Sequence, residues 1–275
     1  MNIARAIDGY LDALANAQLA LRSPSILVPF LAFGLVQCAI LIPLAFFAAT
    51  PFGAFMPPVV EALGGEESLH YPTHFVLLPA TYRNIYLPLV ATVGFALWSL
   101  ALWSMIGHHE ASATIEKRSF RKALPSIVAV GLIFVGVTVL VGRGLGLASA
   151  KLPPAIAPRL AMLVVIVVTA CAQALLVYAP VVLRMRGGGP LSAIRSSARY
   201  AHRNFLATAL LIGTVLLVHL PIDAMIANAD VIAARFRPEV VFQLMMGSVV
   251  LEVITALFLF AGVAALALPQ EGGLR

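Results

Sequence analysis

One acidic residue, Glu252, lies near the middle of an apolar run that extends from about Val240 to Leu268, with no other charged residue in that run. An acid at the centre of a membrane helix costs about 2.5 to 3.5 kcal/mol on insertion scales, so it usually faces the interior and pairs with a polar group. Two interpretations follow. Glu252 belongs to a proton, ion or substrate pathway, or it is a neutral, hydrogen-bonded packing acid.

Polar residues in two other apolar runs are the candidate partners of Glu252. Gln173 lies at a comparable depth in its run, whereas His219 and Asp223 lie near the end of theirs. Pro221, between His219 and Asp223, removes a backbone hydrogen bond and leaves a carbonyl that a neighbour or a cavity must satisfy. The pattern predicts either an outer vestibule lined by titratable groups or a helix end where polar residues meet water.

Three arginines, Arg195, Arg199 and Arg203, are spaced by four residues in a segment that begins at Pro190. This spacing places them on one face of a helix. Anionic headgroups of the inner leaflet attract such a patch by about 1 kcal/mol per basic residue. The stripe therefore predicts lipid binding or the docking of a cytosolic protein, and the alternative is that it serves only to fix the membrane topology.

No pattern predicts a metal, a cofactor or a catalytic residue. His70 and His74 have the spacing of zinc ligands on a helix, but Pro72 between them disfavours a continuous helix through both. The glycines at 187–189 lack the Lys-Ser/Thr of a phosphate-binding loop, and no nucleophile elbow is present. The sequence favours a protein that is not an enzyme, and leaves the question open.

Membrane-spanning helices must position these residues, because 61% of the 275 residues are hydrophobic and only 11% are charged. Soluble proteins contain about half apolar and a quarter charged residues, and a spanning helix needs about 20 apolar residues. The sequence predicts an all-α integral membrane protein, a bundle of about six transmembrane helices. The predicted spans are Pro24–Ala48, Ile85–Ile106, Leu124–Val141, Pro158–Leu183, Phe205–Met225 and Val240–Leu268.

The segments outside the spans complete the predicted organisation. Residues 1–22 carry apolar side chains at helical spacing, which predicts an amphipathic helix at the membrane interface. The transmembrane domain follows at 23–268, with a tail at 269–275. Residues 50–84 are rich in proline and aromatic residues, which predicts an ordered outer loop with a short helix from Pro58 to Leu63.

The distribution of Lys and Arg predicts the orientation, because these residues are enriched in cytoplasmic loops. They concentrate in the predicted inner segments, for example at Lys117, Arg118, Arg121 and Lys122, and six of the twelve acids fall in the outer ones. We therefore expect both termini in the cytoplasm and a multi-pass protein of the inner membrane. The net charge of +6 reflects this sorting, so no nucleic-acid partner is predicted.

The layout of an amphipathic N-terminal helix, a first span, a proline-rich outer loop and basic Ser/Ala-rich inner hairpins such as Leu191 to Phe205 resembles bacterial six-helix membrane families. It is similar to the membrane domains attached to some glycerophosphodiester phosphodiesterases and, more distantly, to Yip1-type proteins. The resemblance covers about residues 90–268 and includes no hydrolase domain. It implies a membrane module that works with lipids or protein partners, and it assigns no catalytic residue.

Three hypotheses for function remain. The first is a non-enzymatic transport, permease-like or assembly component, which should contain a polar cavity at Glu252. The second is a membrane-embedded enzyme acting on lipids or lipid-linked substrates, which needs clustered polar groups near one leaflet. The third is a structural subunit with no cavity, held by other membrane subunits or by a second copy of the chain.

Overall fold

The computed structural model describes residues 22–49, 51–65, 69–109, 119–149 and 157–272, together with residues 7, 8, 10–12, 14, 15 and 18. These residues form helices and connecting turns, with no β-strand among them. The helices are α1 (Pro24–Ala45), α2 (Met56–Gly64), α3 (Thr73–Thr81), α4 (Leu87–His109), α5 (Phe120–Ser149), α6 (Ala157–Leu176), α7 (Ala179–Met185), α8 (Pro190–Arg203), α9 (Phe205–Ala227), α10 (Ala229–Arg235) and α11 (Glu239–Gly272).

Six stretches among the described residues are long and apolar enough to span a membrane. They are Pro24–Ala45, Thr73–Ile106, Phe120–Val137, Val167–Met185, Phe205–Ala227 and Glu239–Ala267. Large apolar side chains are exposed along them, such as Leu35 at 69% and Leu217 at 70%, and a soluble protein does not tolerate so much exposed apolar surface. The prediction of an all-α membrane protein with about six spans is confirmed.

The second span begins much earlier than its predicted start at Ile85. Helix α3 starts at Thr73 and continues through a π-helical segment, Tyr82–Tyr86, into α4. The last part of the predicted outer loop 50–84 is therefore helical. The prolines that indicated a loop are accommodated in two ways: Pro72 immediately precedes the helix, and Pro79 lies within α3 just before the π-helical segment.

Other boundaries differ less from the prediction. The short helix predicted from Pro58 to Leu63 is present as α2, and Gly65 after it has a positive φ of 78°. A turn at residues 177–178 divides the fourth span, and α11 continues to Gly272, beyond the predicted start of the tail. The inner loop with Lys117 and Arg118 lies outside the described residues.

The chain divides into two compact units. The first contains residues 1–28, 95–214 and 257–275, and the second contains residues 29–94 and 215–256. In the first unit α5, α6, α7 and α8 pack against one another, and in the second α3 packs against α2 and α10.

The predicted amphipathic helix at residues 1–22 belongs to the first unit. Its described residues up to Gln18 are helical, and Arg22 lies in a turn. The Tyr10 hydroxyl lies 3.1 Å from the Thr214 hydroxyl, and the Tyr10 ring packs edge-on against Phe258. These contacts fix Tyr10 within the first unit, while most of the remaining residues of the segment lie outside the described ranges.

Candidate functional site

Glu252 lies on α11 in the second unit, and its hydrogen-bond partner is Gln37 of α1. The Gln37 Nε2 donates to Glu252 Oε2 at 2.9 Å. Gln37 is only 2% exposed, and a buried amide needs partners at both its oxygen and its nitrogen. The first span therefore contributes the group that satisfies the acid of the sixth.

The other end of the Gln37 side chain is held by Tyr82. The Tyr82 hydroxyl donates to Gln37 Oε1 at 2.8 Å, in a buried position. Because the hydroxyl donates to the amide oxygen and the carboxyl accepts from the amide nitrogen, the orientation of the Gln37 amide is fixed by the network. Tyr82, Gln37 and Glu252 thus form a continuous chain of hydrogen bonds across three elements of the second unit.

The π-helical segment places Tyr82 at this network. The Tyr82 N–H is bonded to the carbonyls of Leu78 and Pro79, and the Leu87 N–H is bonded to the Tyr82 carbonyl five residues earlier. The wider turn changes the direction in which the following side chains point, and such segments occur frequently at functional sites. Tyr82 is the first residue of this segment, so the network lies where the helix departs from regular α-helical geometry.

A cleft of about 150 Å³ opens beside the network in the second unit. Its polar lining consists of Gln37, Tyr82, Arg83, Asp223, Ser248 and Glu252. A volume of this size holds a few water molecules or a solute of about six heavy atoms. Glu252 consequently faces a cleft that is lined by six polar and six apolar residues.

His219 and Asp223 lie on α9, and their side chains have different surroundings. The His219 Nε2 is 2.9 Å from the Thr255 hydroxyl, which in turn donates to the Leu251 carbonyl at 2.9 Å. His219 therefore contacts α11 one turn beyond Glu252. Asp223 lines the cleft and lies within electrostatic range of both Arg83 and His219.

Gln173, the remaining predicted candidate, lies on α6 in the first unit. Its side-chain oxygen is buried and has no hydrogen-bond partner among the described residues. The partner of Glu252 is Gln37, a residue that the sequence reasoning missed. A usable signal was present, because Gln37 is an isolated amide in the apolar first span just as Glu252 is an isolated acid in the sixth.

The three arginines of the predicted stripe lie on α8 in the first unit, and only two of them line a common pocket. Arg199 and Arg203 line a pocket of about 460 Å³ together with Arg186 and His202. Arg195 is exposed and is not part of the lining. Arg186 was not part of the predicted stripe, because its approach to α8 depends on a turn whose path the sequence does not specify.

The described residues hold no group of three or more His, Cys, Asp or Glu side chains placed to bind a metal ion. Comparison of the chain with protein-family models, with curated proteins and with solved structures returns no match. Function is therefore inferred from the geometry of the cleft and of the pocket.

Proposed function

We propose that the protein is a permease-like component that binds a small polar solute or ion at Glu252 and allows it to pass through the membrane. The observation that supports this proposal is the exposure of Glu252 to a polar cleft in the second unit. An intramembrane acid is costly, and one that served packing alone would be enclosed by its partners.

The charges of the cleft favour a cationic or zwitterionic solute. Glu252 and Asp223 supply two carboxyl groups, whereas Arg83 supplies one guanidinium. An ammonium group near Glu252 would gain a charge-assisted hydrogen bond, and the Tyr82–Gln37 chain would hold the carboxyl in position for it. The small volume restricts the solute to an inorganic cation or a small amine.

The competing hypotheses have less support. A lipid-modifying enzyme needs an activated nucleophile near the basic pocket. Ser196 and His202 supply a serine hydroxyl and an imidazole to the lining, and in the described part of the chain no hydrogen bond joins them. A purely structural subunit gives no reason for the polar lining of the cleft at Glu252.

Current measurements on proteoliposomes test the proposal. Concentration jumps of Na⁺, K⁺, methylammonium and choline should produce a transient current with the wild-type protein for at least one cation. Glu252→Gln should abolish that current while retaining an amide oxygen that can accept from Gln37. Asp230→Asn is the matched control, because Asp230 is exposed, belongs to the second unit and does not line the cleft.

Two results would contradict the proposal. One is a cation current that is equal in wild-type and Glu252→Gln proteoliposomes. The other is the absence of current for every cation of the panel in protein that remains folded. Loss of the current in Asp230→Asn as well would show that surface charge, and not the cleft, controls the signal.

The proposal also places the protein in the inner membrane with both termini in the cytoplasm, following the distribution of Lys and Arg. Single cysteines at Asp230 and at Arg195, introduced after replacing Cys38 and Cys171 with serine, test this orientation. An impermeant maleimide should label Asp230→Cys in spheroplasts and Arg195→Cys only after permeabilisation. The reverse pattern would overturn the orientation.

A further inference from the structure

Helix α8 has one buried face and one basic face. Ala193, Ser197, Tyr200 and Ala201 are buried, whereas Arg199, His202 and Arg203 are exposed. Small residues on the buried face allow close packing against α7, α6 and α5 of the first unit. The cationic side chains of Arg199 and Arg203 therefore project from a rigid, well-packed helix instead of a loop.

A third cation, Arg186, is brought to this face by the turn before α8. Gly187 and Gly188 have positive φ angles of 69° and 92°, a conformation that favours glycine. A Cβ atom at Gly188 would also lie 2.6 Å from the Ser192 hydroxyl oxygen. The glycines thus permit a tight reversal that returns the chain from α7 to α8 with Arg186 beside Tyr200.

Aromatic contacts hold Arg186 in place. Its guanidinium carbon lies 5.8 Å from the centre of the Tyr200 ring, within the range of a cation–π interaction. The Tyr200 ring stacks on Tyr178 with centroids 5.9 Å apart, and the Tyr178 hydroxyl is 2.8 Å from the Thr208 hydroxyl. The position of the guanidinium is therefore fixed by a chain of contacts that extends into α9.

The resulting pocket has a volume of about 460 Å³ and a strongly cationic lining. Arg186, Arg199 and Arg203 line it with His202, and Ser196 and Tyr200 add hydroxyl groups. Among the described residues, no carboxylate belongs to the lining. Among the residues that the structure describes, neither Arg199 nor Arg203 forms an ion pair, so both guanidinium groups are available to a ligand.

We propose that this pocket binds the phosphate group of a phosphate ester. Guanidinium groups donate paired N–H groups in a planar fork that matches phosphate oxygens, and three of them converge here with nearby hydroxyl donors. The volume exceeds that of a phosphate ion alone, so the pocket also has room for the glycerol or sugar that carries it. The ester is either the headgroup of an anionic lipid or a soluble metabolite, and both present the same group to the arginines.

The proposal is independent of the transport function, since the pocket lies in the first unit and Glu252 in the second. Titration calorimetry with the full chain in a phosphate-free maltoside detergent tests it. One arm uses dihexanoyl phosphatidic acid and dihexanoyl phosphatidylglycerol, and the other uses glycerol 3-phosphate and inorganic phosphate. Neutral dihexanoyl glycerol serves as the ligand control.

Arg199→Gln and Arg203→Gln should each weaken phosphate-ester binding by roughly tenfold, as expected for the loss of a hydrogen bond between charged groups. Arg195→Gln is the matched control, because it removes the same charge from the same helix outside the pocket, and it should change the affinity by no more than about twofold. Arg199→Lys keeps the charge but loses the planar guanidinium group, so its loss of affinity should lie between those of Arg199→Gln and Arg195→Gln.

The two arms identify the source of the ligand. Binding by the short-chain lipids alone assigns the pocket to a lipid headgroup, and binding by glycerol 3-phosphate as well assigns it to phosphate esters in general. The proposal is overturned if no phosphate-containing ligand binds the wild-type protein below about 1 mM. It is also overturned if Arg195→Gln weakens binding as much as Arg199→Gln does.

Discussion

Replacement of Gln37 with leucine should destabilise the protein through the loss of two hydrogen bonds. Leucine preserves most of the side-chain volume, so the change removes polar partners and leaves little cavity. In the described part of the chain, Gln37 provides the one hydrogen bond to the Glu252 carboxyl, and it accepts from Tyr82 at 2.8 Å. Both groups would be left without a protein partner.

The expected cost follows from the burial of the network. An unsatisfied buried donor or acceptor costs about 1 to 3 kcal/mol, whereas hydrogen bonds between membrane helices contribute about 0.6 kcal/mol on average and up to about 1.7. Because Glu252 also faces the cleft, water can replace part of the lost bond. We therefore expect Gln37→Leu to lower the free energy of unfolding by about 1 to 2 kcal/mol.

A double-mutant cycle separates the pairwise interaction from other effects of the substitution. The free energy of unfolding is measured by reversible denaturation in mixed dodecyl sulfate micelles for the wild type, Gln37→Leu, Glu252→Leu and the double variant. The double variant should be more stable than the sum of the single losses predicts, by about 0.6 to 1.7 kcal/mol. Gln37→Leu combined with Asp230→Asn supplies a control pair that should be additive.

Additivity of Gln37→Leu and Glu252→Leu within about 0.5 kcal/mol, the range found for residues that do not interact, would contradict this prediction. That result would mean that the acid does not depend on the amide of α1 for its stability.

Two other predictions concern packing in each unit. Gly94→Ala should destabilise the second unit by about 1 to 3 kcal/mol, because the added methyl group would overlap the fully buried ring of Phe33. Gly136→Ala is the control, because the new atom meets open space, and it should be neutral or stabilising by up to about 1 kcal/mol. Thermal denaturation of both variants measures the difference in stability between them. Tyr178→Phe should lower the free energy of unfolding by about 1 kcal/mol, because the hydrogen bond to Thr208 is lost. Thermal denaturation detects this loss, and an unchanged midpoint would contradict the assigned hydrogen bond.

The number of spans could be predicted from the sequence because the length of an apolar run is a local property. The start of the second span could not be predicted from the sequence. Proline normally ends or kinks a helix, so Pro72 and Pro79 indicated a loop, whereas the π-helical segment after Pro79 continues the helix from Thr73 to His109. Tyr82 of this segment is buried and bonded to Gln37, a contact between residues 45 positions apart that no local pattern contains.

The candidate site was predictable in part for a similar reason. The insertion cost of a single acid identifies Glu252 from its own sequence context. Its partner depends on the rotation and depth of α1 relative to α11, and those are set by contacts such as the close approach of Gly34 to Val253. Glutamine in an apolar span is a signal of the same kind as glutamate, but a weaker one, so the pairing of Gln37 with Glu252 emerges only from the structure.

The composition of the cleft supports the proposal that Glu252 does more than pack. The hydrogen bond from Gln37 and the contact of Gln37 with Tyr82 would be sufficient to satisfy a packing acid. Arg83 and Asp223 line the same cleft without closing it, and charged groups near a membrane span carry a desolvation cost that packing does not require. Glu252→Gln is therefore expected to change transport but not stability. The amide retains an acceptor for Gln37 and should preserve folding, whereas the loss of the negative charge should abolish binding of a cation.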